Sequence, residues 1–248
     1  MFQFFVEPNQ INDTDVIITG TDYNHIKNVL RMKPGDEVSV YNGIDGNEYR
    51  CGIESFGDSE VYLKLRFVKE ENHELPSKIY LFQGLPKGDK MESIIQKNVE
   101  LGVYEIIPVE MKRCVVKLDD KKAKSKRERW QGIAESAAKQ SKRGIIPNVS
   151  LPMSYKAAVE YAVKNCEVLL LPYEMAADMS ATREIVDKIL PGQNIAIFIG
   201  SEGGFEEDEV TFAMEKGFKA ITLGKRILRT ETAGMTVSSI LMYRLEDM

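Results

Sequence analysis

The segment Gly200-Ser201-Glu202-Gly203-Gly204-Phe205 follows the apolar run Ile195–Ile199 and precedes an acidic, helix-forming stretch. A glycine-bearing turn between a strand and a helix lies where α/β sheets bind ligands, beyond the carboxyl ends of their strands. The spacing does not fit G-x-G-x-x-G, and no Lys-Ser/Thr follows, so nicotinamide and nucleoside-triphosphatase chemistry lose their main support. On spacing alone, a tight turn with a helix start fits equally well.

A second strand-to-helix join, Leu223-Gly224-Lys225-Arg226-Ile227-Leu228-Arg229-Thr230-Glu231-Thr232-Ala233, crowds three cations into a loop that also holds two aliphatic residues. Ile227 and Leu228 either pack beneath the loop as ordinary core or line one side of a flat aromatic ligand such as adenine. Thr230 suits a helix cap and Glu231 a first-turn acid, roles that require no catalysis. His25 and His73 are the only histidines, which argues against a histidine-based metal site or triad, and no metal is expected.

A third segment concentrates positive charge. Residues 112–143 carry 12 Lys/Arg against 4 Asp/Glu, a local balance of +8, whereas residues 1–75 carry 7 Lys/Arg and 14 Asp/Glu. The chain's net charge of -5 hides this asymmetry. Charge runs are commonly solvated surface; if a polyanion binds, this is where it is held. Trp130, Ile133, Ala134, Ala137 and Ala138 follow helical spacing, which makes Trp130 core rather than a base-stacking platform.

Positioning these segments requires two kinds of architecture. Up to about residue 70 the pattern is β-rich: Val38–Tyr41 and Tyr49–Ile53 flank the turn-forming run 42–47, and Val61–Val68 alternates as a half-buried strand. A short helix is expected from Asp22 to Arg31, then a turn at Pro34-Gly35-Asp36. Residues 70–77 are polar and contain a proline, so the domain boundary is placed there. Beyond it strands alternate with helices: strand Ile79–Phe82, a helix opened by a capping box of Asp89 and Glu92 and closed at Gly102, strand Val103–Val109, strand Val168–Leu171, helix Thr182–Leu190, strand Ile195–Ile199, helix Glu207–Lys216, strand Ala220–Leu223 and helix Thr230–Leu245. That order implies an α/β domain around a parallel sheet.

Composition agrees. With 43% hydrophobic and 29% charged residues in 248, there is material for a genuine core. No stretch approaches the roughly 18 apolar residues that span a bilayer, and the amino terminus lacks a signal-peptide pattern. Cys51, Cys114 and Cys166 form no C-x-x-C pair and suit a reducing cytoplasm as small packing residues.

Taken together, Gln83–Glu92, Lys97–Val103, Ala134–Arg143 with Pro147, the 200–205 loop, the 223–233 segment, Val29-Leu30-Arg31 and Pro34-Gly35-Asp36 run in order over most of the chain. The set resembles the SPOUT class of methyltransferases and, within it, the RsmE-type family that methylates N3 of a uridine in 16S ribosomal RNA. One departure is visible: the family's loop is usually G-P-E-G-G, and here Ser201 stands in the proline's place.

The resemblance implies an N-terminal PUA-like β-barrel that binds RNA (1–72) and a C-terminal α/β methyltransferase domain (76–248) containing a deep trefoil knot, an exception to the rule against knotted chains. It implies a cytoplasmic homodimer that uses S-adenosylmethionine, with 16S ribosomal RNA in the assembled or nearly assembled small subunit as partner, and no membrane association. Carried onto this sequence, the cofactor contacts are Leu171, Pro172, Gly200, Glu202, Gly204, Leu223, Gly224, Ile227, Leu228, Arg229, Thr232 and Ala233. For catalysis, Arg229 is expected to stabilise charge on a uridine carbonyl. Glu202 or Glu231 accepts the N3 proton if its pKa is raised, and Arg31 contacts RNA close to the target base. Arg113, Lys121, Lys122, Lys124, Lys126, Arg127, Lys139, Lys142 and Arg143 are the expected phosphate contacts. The alternatives are another SPOUT activity, on a ribose 2'-hydroxyl or a different base, and a non-catalytic ribosome-assembly protein whose glycine loop is only structural.

Overall fold

The computed structural model describes residues 1–70, 73–176 and 178–246. The chain forms two compact units, one of residues 1–74 with 138–146, the other of residues 75–137 with 147–248. The division is not a single cut, because the short stretch 138–146 belongs with the first unit. The expected boundary at Asn72 lies outside the described residues.

The first unit is a five-stranded sheet of β1 (Phe2–Phe5), β2 (Asp15–Thr19), β3 (Glu37–Tyr41), β4 (Glu48–Phe56) and β5 (Glu60–Lys69), in the order β1-β3-β4-β5-β2. Only the β1–β3 pair is parallel. Phe4, Val16, Ile18, Val38, Val40, Cys51, Ile53, Val61 and Leu63, from all five strands, share one buried core with Ile26. The β3–β4 connection is the expected turn, with Asn42 Oδ1 accepting from the N–H groups of Ile44 and Asp45, and Gly43 and Gly46 at positive φ. The helix expected from Asp22 to Arg31 is a single α turn, α1 (Thr21–Asn24), running into a π turn over His25–Val29.

Within this unit, Arg143 is 3% exposed, and its Nε donates to both carboxylate oxygens of Glu74 at 3.1 and 3.2 Å. Gly144 lies against the Gly46 backbone, where an added Cβ would sit 2.6 Å from the Gly46 oxygen. The expectation that Arg143 contacts phosphate is therefore corrected: a guanidinium buried against a carboxylate holds the 138–146 segment and offers no charge to an outside ligand.

The second unit carries β6 (Ile79–Gly84), α2 (Lys90–Glu100), β7 (Glu105–Glu110), α3 (Asp120–Gln140), β8 (Asn148–Val149), β9 (Met153–Ser154), α4 (Tyr155–Asn165), β10 (Val168–Pro172), α5 (Met179–Asp187), β11 (Ile195–Ile199), α6 (Glu207–Glu215), β12 (Lys219–Ile221) and α7 (Thr230–Leu245). Its sheet runs β12-β10-β11-β6-β7-β8, with β9 also on β7, and every pairing is parallel. β6 and β11 are buried along their whole length, as strands covered by helices on both faces must be. Phe82 and Phe198 stack across these two strands at 4.3 Å between ring centroids.

Two local readings change. Asp89 occupies the N-cap of α2, yet its side chain makes no capping bond, and Glu92 pairs with Arg129 at 2.8 Å instead of reaching back. Helix α4 was not foreseen, although Ser154 caps it by accepting from the Ala157 N–H and Tyr155, Ala158, Val159 and Ala162 form its buried stripe.

Candidate functional site

The parallel strands β10, β11 and β12 all deliver their carboxyl ends to one side of the sheet. The segments that follow them line a cleft of about 830 Å³. Pro172 to Met175 come from the end of β10, Ile199 to Phe205 from the end of β11, and Ile227 to Thr230 with Ala233 from the region after β12; Lys90 and Arg113 complete the lining with Glu207.

The 200–205 loop is held from several directions. It closes on itself through a Ser201–Gly204 bridge, with the Gly204 N–H donating to Ser201 O at 2.9 Å and Gly204 at φ 69°. Backbones crowd it: a Cβ on Gly84 would lie 2.6 Å from Ser201 N, and one on Gly203 would lie 2.8 Å from the Arg113 Cβ. Arg113 donates to Gly203 O at 3.1 Å and to Glu206 at 2.9 Å. Thr230 donates to Gly200 O at 2.6 Å.

Glu202 accepts from the Lys87 N–H at 3.0 Å and from Lys90 Nζ at 2.9 Å. Burial pushes its carboxyl up, but the hydrogen bonds from Lys90 and from backbone N–H groups, with the charge of Lys90, outweigh it and leave the pKa below the usual carboxylate value. The condition on which Glu202 was expected to take a proton, a raised pKa, is not met. Its geometry makes it a strut between the 200–205 loop and the β6–α2 turn. Lys90, whose pKa is raised chiefly by the hydrogen bond to Glu202, also lies 3.6 Å from Glu231. Among the described residues, Glu231 Oε2 is buried and accepts no hydrogen bond.

The loop before α7 is built differently. Ile227 and Arg229 are each 81% exposed and both border the cleft, with half-buried Leu228 between them. This decides between the two readings of Ile227: it does not pack beneath the loop but stands as an apolar face toward the cavity. Arg229 is the N-cap of α7, its carbonyl accepting from the N–H groups of Thr232 and Ala233 at 2.9 Å each. Thr230 is the first helical residue, and its hydroxyl crosses to Gly200 instead of capping α7.

Of the expected cofactor contacts, Pro172, Gly200, Glu202, Gly204, Ile227, Leu228, Arg229 and Ala233 line the cleft. Leu171, Leu223, Gly224 and Thr232 do not; Leu171 is wholly buried in β10. Sequence reasoning missed Lys90, Tyr173, Glu174 and Met175 as lining residues, and placed Arg113 on RNA rather than here. A signal existed for Tyr173–Met175, which directly continue a strand ending at the ligand side of the sheet.

The expected RNA contacts fall in different settings. Lys121, Lys122 and Lys124 are exposed on α3, with Lys122 near Asp119 at 3.3 Å, and Lys126 is half-buried. Arg127 donates to Val149 O at 2.8 Å, a bond that ties α3 to β8. In the first unit, Lys139 lies 3.9 Å from Asp22, Lys142 is exposed at φ 61°, and Arg31 is exposed at φ 54°. Among the described residues no metal-ligating cluster occurs, no helix is long and apolar enough to cross a membrane, and burial pushes the Cys51 and Cys166 thiols up to about 12.

Comparison with known proteins matches this architecture. A family model described as an RNA methyltransferase domain matches residues 73–242, and one described as an RNA methyltransferase PUA domain matches residues 18–66. The ribosomal RNA small subunit methyltransferase E of Bacillus subtilis is 40% identical over 99% of this chain and 98% of its own. That of Mesomycoplasma hyopneumoniae is 38% identical over 95% and 96%. The crystal structure of the same enzyme from Neisseria gonorrhoeae, bound to S-adenosyl methionine, superposes with a TM-score of 0.83 at 31% identity, covering 98% of this chain and 97% of that one. The chain therefore belongs to the RNA methyltransferase family whose members include the small-subunit ribosomal RNA methyltransferases E.

Proposed function

We propose that the protein transfers a methyl group from S-adenosylmethionine to N3 of a uridine in 16S ribosomal RNA. The observation that carries this is the cleft at the carboxyl ends of β10, β11 and β12, formed by the two segments that also carry the family resemblance. It fits the cofactor: Ile227 and Leu228 offer apolar surface to an adenine, Gly204 lines the cleft with open space where a side chain would stand, and buried Ser201 Oγ has no hydrogen-bond partner among the described residues. The cofactor supplies an already activated methyl on a sulfonium.

The chain's residues must then make N3 nucleophilic by favouring loss of its proton. Arg229, always protonated and exposed at the cleft, is assigned the negative charge that develops on the uridine carbonyls. Glu231, next in the helix to the cleft-lining Thr230 and with no hydrogen bond to its Oε2 although Lys90 Nζ lies 3.6 Å away, is assigned the proton in preference to Glu202, whose Oε1 takes both the Lys87 N–H and Lys90. The target base must expose its Watson–Crick edge and so be splayed from a single-stranded or junction site.

The finer organisation follows the same reading. Residues 1–72 act as the RNA-binding PUA-like barrel, with Arg31 near the target, and residues 76–248 as the methyltransferase domain. Lys121, Lys122, Lys124, Lys126, Lys139 and Lys142 grip phosphates. The C-terminal part of this domain is assigned a deep trefoil knot; the chain that returns after β12 sets Thr230 against Gly200 and Gln83. A cytoplasmic homodimer acting on the assembled or nearly assembled small subunit completes the proposal; exposed Ile240 and Tyr243 on α7 suit a subunit contact. The decisive experiment incubates the pure protein and labelled S-adenosylmethionine with unmodified small ribosomal subunits and identifies the product nucleoside. N3-methyluridine is expected; a ribose-methylated or other base product, or none, overturns the assignment.

A further inference from the structure

A chain of hydrogen bonds joins three elements beneath the cleft. Gln83 Nε2, at the end of β6, donates to Thr230 Oγ1 at 2.8 Å, and Thr230 Oγ1 donates to the Gly200 carbonyl at 2.6 Å. Both side chains are buried, Gln83 completely. The direction is fixed by chemistry. Gly200 O can only accept, so the one hydroxyl proton of Thr230 goes to it, and the hydroxyl lone pairs are left for an N–H donor. Gln83 spends its other amide proton on Gly84 O at 3.0 Å, which anchors the amide in this orientation. Were the amide reversed, its oxygen would draw the Thr230 proton away and leave Gly200 O unpaired.

Two members of the chain, Gly200 and Thr230, line the cleft, and Gln83 braces them from beneath. Gly200 begins the glycine loop, and Thr230 is the residue after Arg229. Fixing the Gly200 carbonyl fixes the plane of the 200–201 peptide, and fixing Thr230 fixes the start of α7, where Arg229 projects. Gly84 adds a steric seat, since only a residue without Cβ lets Ser201 N approach so closely.

We infer that Gln83 and Thr230 are positioning residues for methyl transfer, locking the glycine loop to the head of α7 so that the cleft is preset for its cofactor before the cofactor arrives. The inference rests on the cofactor reading given above. Neither side chain reacts; both act on the cofactor seat through the Gly200 peptide and its tie to the head of α7.

The test uses calorimetric titration of the full chain with S-adenosylmethionine, alongside steady-state methylation and thermal melting. Thr230→Val keeps the shape and removes the hydroxyl, leaving two buried partners unmatched; cofactor affinity should fall about tenfold or more. Gln83→Met should weaken binding less, because the Thr230–Gly200 bond survives. Thr230→Ser should restore affinity to within about threefold of the natural chain, since the hydroxyl is retained. The double variant should be no worse than Thr230→Val alone, the mark of two groups acting in one chain.

Kinetically, the KM for cofactor should rise while kcat returns at saturation, a split that general destabilisation would not give. If Thr230→Val does not fold, Gln83→Met decides alone. Folded variants that bind like the natural chain, or a Thr230→Ser as impaired as Thr230→Val, overturn the inference. A natural chain that binds no cofactor overturns the functional reading itself, a result distinguishable from failure of the variants.

Discussion

The two loops that form the cleft are built on opposite principles. The 200–205 loop is tied down: Glu202 to the β6–α2 turn, Gly203 O to Arg113, Gly200 O to Thr230, with Gly84 beneath it where a Cβ would lie 2.6 Å from Ser201 N and Gly203 where one would lie 2.8 Å from the Arg113 Cβ. The segment before α7 presents side chains to the cavity, with Ile227 and Arg229 both 81% exposed although each is long and could have packed elsewhere. A rigid cradle beside an exposed reactive face is what a transfer enzyme requires, because preorganisation holds the donor while the exposed cation meets a substrate that must enter from outside. Damage to the first loop should appear as lost stability and lost cofactor binding. Damage to the second should appear as lost turnover in a protein that still folds.

The largest expected effect comes from Arg229→Ala. Removing a cation that stabilises developing charge costs about 10²–10³ in turnover, whereas truncating so exposed a side chain should change folding stability by no more than about 0.5 kcal/mol. Single-turnover methylation of ribosomal subunits and urea denaturation measure the two quantities. A variant that keeps its rate removes Arg229 from the reaction and erases the contrast between the loops.

Next is Gly84→Ala, which attacks the cradle from beneath. The new methyl would lie 2.6 Å from Ser201 N, 2.8 Å from Met111 Sδ and 3.0 Å from Gly200 C. Methionine can move, but two backbones cannot separate without displacing the loop, and overpacking of this kind costs about 1–3 kcal/mol. Stability and cofactor affinity should fall together, measured by urea denaturation and calorimetry on the same preparation. Unchanged binding at reduced stability would mean that the loop's position does not matter to the ligand.

Much of this arrangement was legible in the residues, and what was not has a physical reason. The turn at 42–47 was readable because asparagine and glycine encode it locally, and α7 was readable over Thr230–Leu245 because its flanks are explicit. β8 and β9, two residues each, carry no periodicity at all. Helix α4 does carry a local signal, in Ser154 and the Tyr155–Ala162 stripe. Arg143 looked like one more cation in a basic run; its burial depends on Glu74, sixty-nine residues away. The site shows the same limit. Glycine spacing located the cradle, but the Glu202 carboxyl, pushed up by burial, is held below its usual range by Lys90 and backbone N–H groups, of which Lys87 and Lys90 are distant in sequence and adjacent in space.

That ion pair gives the smallest expected effect and one with a defined sign. The Glu202 pKa is lower in the folded chain than the ordinary 4.5, so the native state holds fewer protons on this group than the unfolded chain does. Its contribution to stability is therefore complete above the ordinary carboxylate range and is lost as pH falls through 4.5 toward the lower folded value. Glu202→Gln cannot titrate and lacks this term, so the stability of the natural chain and of the variant should converge as the solution is acidified. The pair is partly exposed, which limits the difference at neutral pH to about 1 kcal/mol or less, and added salt should shrink it further. Because Glu202 acts on the loop rather than on the methyl group, the variant should keep its turnover at saturating cofactor. Urea denaturation of both proteins from pH 7 to pH 3, with methylation assayed at pH 7, separates the strut from the base: a collapse of turnover in Glu202→Gln with unaltered cofactor affinity would return this carboxylate to the proton-transfer step.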